Sequence, residues 1–392
     1  MSNIRNYMKE KEGDYKEKIR RHRQSKLRFF CTVAGIIIFT VLALFLYHKL
    51  RIYNHYTIKN EIERTESSAS VTLQIGENMV SYSKDGASCI DVKGNKVWNQ
   101  TYEMQKPIAS ATAKSIAITD YNGRSIYVMD SEKILGTIST NMPVKNIAVS
   151  ESGIVAAILE DGNTTWINVY DNSGNVLVYS KTKMSNSGYP IAVALSPDAT
   201  LMAVSYLYVD SGVMRSSIGF YNFGEVGQNE LHNYVSGFNY TDSVVPYIKF
   251  LNNEIVVAVA DDRIMFYKGK QKPAVLGETL LNEEILSIYS SQEYVGLVFE
   301  NTEGVTKYYM DLYNIEGEKQ DTLEFDCEYT DIVITDKTIL IYNKNEWNVY
   351  TIGGRTKFSG VYENNIQKII PTDKIENYVI VTDDTLENVI LK

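Results

Sequence analysis

The chain has 392 residues, with 39 Lys and Arg against 48 Asp and Glu, a net charge of −9, 29 Tyr, only four His and only three Cys. The acidic balance argues against a nucleic-acid partner, because such binding relies on Lys and Arg neutralising phosphates. Sparse cysteine excludes a disulfide-stapled secreted scaffold.

Residues 1–28 carry ten basic side chains (Arg5, Lys9, Lys11, Lys16, Lys18, Arg20, Arg21, Arg23, Lys26, Arg28) against Glu10, Glu12, Asp14 and Glu17. Removing this tail of +6 from a chain of −9 leaves −15 for the rest. Residues 29–47, FFCTVAGIIIFTVLALFLY, contain no charged side chain. As a helix rising about 1.5 Å per residue, such a run matches the hydrocarbon thickness of a bilayer. The Lys and Arg excess on its N-terminal flank predicts a cytoplasmic N-terminus and an extracellular remainder. The following LYHKLRIYNHY offers no small-residue cleavage site, so an uncleaved signal anchor is expected rather than a secretory leader. The expected organisation is a basic cytoplasmic tail over 1–28, a transmembrane helix over 29–48, a stalk with a possible ring-closing strand over 49–70, and an extracytoplasmic domain over 71–392.

From residue 71 the chain restates one phrase: an alternating apolar run, a turn of Gly, Asn and Asp, and another run. It is clearest in CIDVKGNKVWNQTY (89–102), NVYDNSGNVLVYS (168–180), DLYNIEGEKQDTLEF (311–325) and NVYTIGGRTKFSG (348–360). In each, Asp, Asn or Thr opens the bend and Gly takes a positive φ, which predicts a hairpin. Another strand pair precedes most of these hairpins. Four strands per unit at a period near forty predict an all-β propeller, with units starting near Val71, Lys106, Val144, Ile191, Tyr247, Ile285, Asp331 and Gln367. The last unit holds only three strands. Residues 56–64, YTIKNEIER, could supply the fourth and close the ring, which favours eight blades over seven.

The spacing Asp91-x-x-Gly94-x-x-x-Trp98 resembles the repeat of quinoprotein-like propellers, and SPDATLMAVSY (196–206) resembles the strand pair of WD40-type and TolB-type blades. The whole layout is similar to an uncharacterised family of single-pass membrane proteins from clostridial bacteria. That resemblance implies a fold and a location; it brings no assigned activity.

Catalytic constellations are scarce. Of His22, His48, His55 and His232 only the last falls within the repeats, too few imidazoles for a His-based zinc site or a Ser/His/Asp triad. Cys89 and Cys327 fall at opposite ends of the domain and are expected as buried thiols. Trp98 alone sits at the quinoprotein motif position, so no quinone cofactor is expected, and no metal or other cofactor either. Asp261-Asp262 and Asp383-Asp384 each separate two strands and read as turn residues.

The long connections expected on one face are 180–190, 205–217, 234–246 and 299–309. Their Tyr189, Tyr208, Met214, Arg215, Phe238 and Tyr240 have the composition of interface hot spots. The sequence therefore points to a non-enzymatic, membrane-tethered scaffold whose looped face binds an envelope protein or a wall polymer. The alternatives are a transmembrane sensor and a carboxylate-dependent glycan-active enzyme, which would need two convergent acids in the central funnel.

Overall fold

A computed structural model of the chain describes residues 2–64, 70–162, 164–183, 188–302 and 304–392. It divides into two compact units, Met1–Ile52 and Tyr53–Lys392.

The first unit is one helix, α1 (Ser2–Leu50). Its segment Lys18–Ala43 is long and apolar enough to cross a membrane, and no part of the apolar window is buried by protein. Phe29, Phe30, Ile36, Ile38 and Phe39 are all exposed. The two hydroxyls inside the run are satisfied locally: Thr32 Oγ1 donates to the carbonyl of Arg28 at 2.6 Å and Thr40 Oγ1 to that of Ile36 at 2.8 Å. A helix with its own backbone and hydroxyl groups paired is the form that tolerates hydrocarbon.

The second unit opens with β1 (Tyr56–Glu63) and continues as seven four-stranded antiparallel sheets and one three-stranded run. Blade 1 is β2 (Val71–Ile75), β3 (Asn78–Tyr82), β4 (Gly86–Ile90) and β5 (Lys96–Thr101). Blade 2 is β6 (Pro107–Ala111), β7 (Ser115–Asp120), β8 (Ser125–Asp130) and β9 (Ile134–Ser139). Blade 3 is β10 (Val144–Val149), β11 (Val155–Asp161), β12 (Thr164–Tyr170) and β13 (Val176–Lys183). Blade 4 is β14 (Tyr189–Leu195), β15 (Leu201–Asp210), β16 (Val213–Asn222) and β17 (Tyr234–Thr241), with the one-turn helix α2 (Glu225–Gln228) and a 3₁₀ turn (Leu231–Asn233) between the last two. Blade 5 is β18 (Tyr247–Phe250), β19 (Ile255–Val259), β20 (Arg263–Lys268) and β21 (Ala274–Leu280). Blade 6 is β22 (Ile285–Ser290), β23 (Tyr294–Glu300), β24 (Tyr308–Asn314) and β25 (Lys319–Phe325). Blade 7 is β26 (Asp331–Ile334), β27 (Thr338–Tyr342), β28 (Glu346–Thr351) and β29 (Thr356–Val361). Blade 8 is β30 (Ile366–Pro371), β31 (Asn377–Thr382) and β32 (Thr385–Leu391), completed by β1.

The fold is thus an eight-bladed β-propeller, as the repeat count favours. Closure uses the strand anticipated at 56–64: β1 pairs antiparallel with β32, Tyr56 opposite Leu391 and Glu63 opposite Thr385. It is the outermost strand of blade 8, so the propeller begins well before residue 71; residues 65–69 of the expected stalk lie outside the described residues. The first strands of neighbouring blades touch one another and surround the axis.

Eight apolar clusters hold the ring, each shared by two consecutive blades. The one that seals it joins Met79 and Ile90 of blade 1 to Ile370, Val379, Val381 and Leu386 of blade 8, with Ile62 of β1 packed against it. Alternation puts every second strand residue on each face of a blade, so one strand feeds two such clusters.

The repeated phrase forms the outer hairpin of blades 1, 3, 6 and 7. In blade 1, Asp91 Oδ1 accepts from the N–H groups of Lys93 and Asn95, both at 2.8 Å, and Gly94 takes φ +81°. Asp171, Asn175 and Gly174 repeat this in blade 3. Trp98 reaches across to blade 2, donating Nε1–H to the carbonyl of Asp130 at 2.8 Å. Cys89 and Cys327 are buried thiols, neither in a disulfide.

Candidate functional site

Blade 4 departs from the others. Strands β15 and β16 are ten residues each, joined by a two-residue turn at Ser211 and Gly212. The stretch 205–217, expected as a loop, is therefore almost entirely a strand pair, and most of 234–246 is strand β17. Strong alternation of Tyr, Val and Ser with a Ser-Gly bend is a hairpin signal, and it outweighs the polar content that suggested a loop. Residues 184–187 and 303, in two of the other expected loops, lie outside the described residues.

The six expected interface residues do not stay together. Tyr208 and Arg215 are cross-strand partners on the β15–β16 hairpin, and Met214 beside them is 46% exposed. Arg215 is tied down by Asp210 at 3.2 Å and by Thr241 Oγ1 at 3.2 Å. Tyr189 is on the inner strand β14, donating its hydroxyl to Glu160 Oε2 at 2.8 Å. Desolvation, followed by that carboxylate, pushes its pKa up to about 12. Phe238 and Tyr240 are corrections to the loop reading: both lie on β17, on the face turned to blade 5. Phe238 packs on Phe220 and Tyr267, and Tyr240, 8% exposed, shares a 2.5 Å hydrogen bond with the Tyr267 hydroxyl. They pack against blade 5 because, beyond the register shift at the start of β17, the even-numbered positions from Ser236 to Tyr240 face that blade.

The opposite face of blade 4 forms a groove of about 1110 Å³ against β13, the outer strand of blade 3. Its lining includes Tyr206, Tyr208, Tyr221, Tyr234, Ser217 and Asn239 of blade 4, the backbone stretch around Ser180 to Thr182, and Glu230 to His232 of the blade 4 insertion. Gly219 and Gly237 are opposed in the ladder and leave its centre bare. A Cβ on Gly219 would stand 3.2 Å from Tyr234, 3.4 Å from Tyr221 and 3.5 Å from Tyr206, so three tyrosine rings ring the glycine. The hydroxyls of Tyr206 and Tyr221 share a 2.6 Å hydrogen bond, and the Tyr221 and Tyr234 rings meet edge to face at 5.6 Å.

Burial raises the pKa of Tyr206, Tyr221 and Tyr234, so all three remain neutral donors at ordinary pH. The lips are aliphatic and exposed: Leu231 at 80% and Val209 at 70%. Val176 and Leu177, elsewhere on β13, are exposed as well. Such a concentration of tyrosine and exposed apolar side chains around a preformed groove is the composition of a protein-binding surface. Sequence reasoning reached only Tyr208 and the hairpin beside it. The insertion containing His232 supplies one wall.

Metal and acid chemistry have less to work with. Among the described residues there is no group of three or more His, Cys, Asp and Glu placed to hold a metal ion. The inner strands carry one carboxylate, Asp331, bound to Lys368 at 2.6 Å. Asp261 and Asp262 cap the turn they occupy, accepting from Ser243 and, for Asp262, from Arg263 at 2.6 Å.

The propeller is similar in fold to solved structures of low identity. Sqt1 from Chaetomium thermophilum matches at 11% identity over 85% of this chain and 98% of that chain, with a TM-score of 0.52. BamB from Moraxella catarrhalis matches at 12% identity over 86% of this chain and all of that chain, with a TM-score of 0.48. Hsv2p from Kluyveromyces lactis matches at 10% identity over 75% and 97%, with a TM-score of 0.47. No curated protein matches by sequence. A family model covers residues 49–391, the propeller together with the end of the helix, and the chain therefore belongs to that family, described as a family of unknown function (DUF5711).

Proposed function

We propose that this protein is a membrane-tethered scaffold whose propeller docks a protein partner in the groove between blades 3 and 4. The observation that carries this reading is the groove itself: a tyrosine-walled, glycine-floored trough whose lips, Leu231 and Val209, stand exposed. Aliphatic lips favour a polypeptide over a wall glycan, which would stack on the rings but gain nothing from Leu and Val. A propeller is well suited to this role, since radial repetition leaves only short outer edges and presents side chains on a rigid frame. In this reading α1 crosses the membrane once, with the basic tail cytoplasmic and the propeller outside, where an envelope protein is the partner.

The test is site-specific photocrosslinking in the native cell. A photoreactive residue at Tyr208 or Leu231 is expected to capture one protein that a probe at Val361, exposed on blade 7, does not. Equal capture from all three sites would remove the groove as the docking surface. Topology is tested separately by proteolysis of intact cells, which should remove the propeller and spare the tail.

A further inference from the structure

The eight inner strands carry four charged side chains: Lys145, Lys249, Asp331 and Lys368. Lys368 is neutralised by Asp331 at 2.6 Å, and Lys145 faces Glu160 at 3.5 Å. Lys249, on β18, has no carboxylate partner among the described residues. Its Nζ donates to Ser290 Oγ on β22 of the next blade at 2.9 Å, and Ser290 Oγ lies 3.1 Å from the Tyr247 hydroxyl. Lys249 is exposed by area, yet desolvation by surrounding protein lowers its pKa. Both β18 and β22 are the innermost strands of their blades, so Lys249 and Ser290 border the propeller axis.

From this geometry we infer that the axial channel binds a small oxyanion, a carboxylate or a phosphate, at Lys249, Ser290 and Tyr247. An ammonium held among protein atoms with no counter-charge is costly, and the cost is removed when an anion completes the pair. The groups suit an oxyanion. Lys249 keeps two N–H donors after its bond to Ser290. Of the two hydroxyls, which share one hydrogen bond, one retains a proton that can turn to the ligand. Hydrogen bonds from an ammonium to an oxyanion are among the stronger ones available to a protein. A charge set in a narrow, low-dielectric passage also concentrates counter-ions, so an acidic protein can hold a positive interior site.

The experiment titrates the full-length protein in detergent with inorganic phosphate, with acetate and with sodium chloride at matched ionic strength, following thermal unfolding and binding heat. Phosphate or acetate is expected to raise the melting temperature beyond the chloride control, since a ligand of the native state stabilises it in proportion to its occupancy. Which of the two acts distinguishes the phosphate from the carboxylate source. Lys249→Met should lose the shift and should itself melt no lower than the parent, because it removes an uncompensated charge. Ser290→Ala should weaken the shift, and Lys249→Arg should keep it. No shift with either anion in the parent, or an undiminished shift in Lys249→Met, would overturn the proposal.

Discussion

The hydroxyl of Tyr362 donates to Oε2 of Glu387, and both side chains are closed off from solvent. Asn364 Nδ2 and Thr385 Oγ1 donate to Oε1 of the same carboxylate at 2.9 and 2.6 Å. Tyr362 follows the last strand of blade 7, and Glu387 is on β32, opposite Glu61 of the closing strand. The contact therefore fastens blade 7 to the strand on which ring closure depends. A buried carboxylate without a cation is tolerable when several donors converge on it. Glu387→Leu leaves those donors orphaned and should cost about 1–3 kcal/mol for each. Glu387→Gln, which keeps an acceptor oxygen, should cost much less. Denaturant unfolding of the two variants measures the difference, and equal stabilities would show that the cluster carries no such load.

Closure itself is open to direct test. Removing residues 53–63 takes Ile62 and Tyr53 out of the clusters they pack in and Tyr56 from its stack on Tyr362, whose centroids are 5.0 Å apart. Losing the burial of Ile62 and Tyr53 alone should cost at least about 3 kcal/mol, and β32 becomes a free edge. The truncated protein should unfold at lower denaturant and associate. A synthetic peptide of residues 53–64 added in trans should reverse both effects.

The groove can be filled from its floor. A Cβ on Gly237 would lie 1.7 Å from the Tyr234 hydroxyl, so Gly237→Ala must displace that ring. Tyr234 is 46% exposed and can swing outward, which keeps the stability change within about 1 kcal/mol. Partner crosslinking from Tyr208 should nevertheless fall sharply. Retained crosslinking with a normal melting temperature would separate the groove from the docking function.

Alkaline pH should unfold the propeller. Burial raises the pKa of Tyr267, Tyr342, Tyr362 and Tyr378, and it pushes Tyr313 up to about 12. In the unfolded chain these phenols ionise near their ordinary value of 10.0. Above that pH the unfolded state binds fewer protons than the native state, so stability falls as pH rises, by roughly 1.4 kcal/mol per pH unit for each fully buried phenol. Below about pH 9 the same groups are protonated in both states and should leave stability flat. Melting curves recorded with tyrosinate absorbance check this, since ionisation should coincide with unfolding.

Thiol chemistry separates the two units. Burial, with Glu346 adding to it, pushes the Cys327 thiol up to about 12, and Cys89 is wholly enclosed. Neither should react with iodoacetamide until the propeller unfolds. Cys31, exposed on the apolar helix, should resist a charged maleimide in intact membranes and react in denaturant. Rapid labelling of Cys31 in membranes would contradict the membrane-spanning reading of α1.

Blade count, blade starts and the hairpin turns were legible in the residue order because each rests on local chemistry repeated at a fixed period. Asp91 and Gly94 specify a turn that Asp171 and Gly174 repeat, and Trp98 adds a docking contact in blade 1. The closing strand could be anticipated too, since a three-stranded last unit leaves an edge that a propeller must cover. The apolar run of α1 declared itself by composition alone. Tertiary structure decided what meets across blades. Phe238 and Tyr208 are both aromatic residues on alternating strands of blade 4, yet one faces the packed blade 5 and the other the open groove. That choice depends on strand parity and on where the β17 ladder shifts register. In the same way Lys249 is an ordinary strand lysine until the ring closes, when the inner strands of adjacent blades bring Ser290 beside it and keep every carboxylate away.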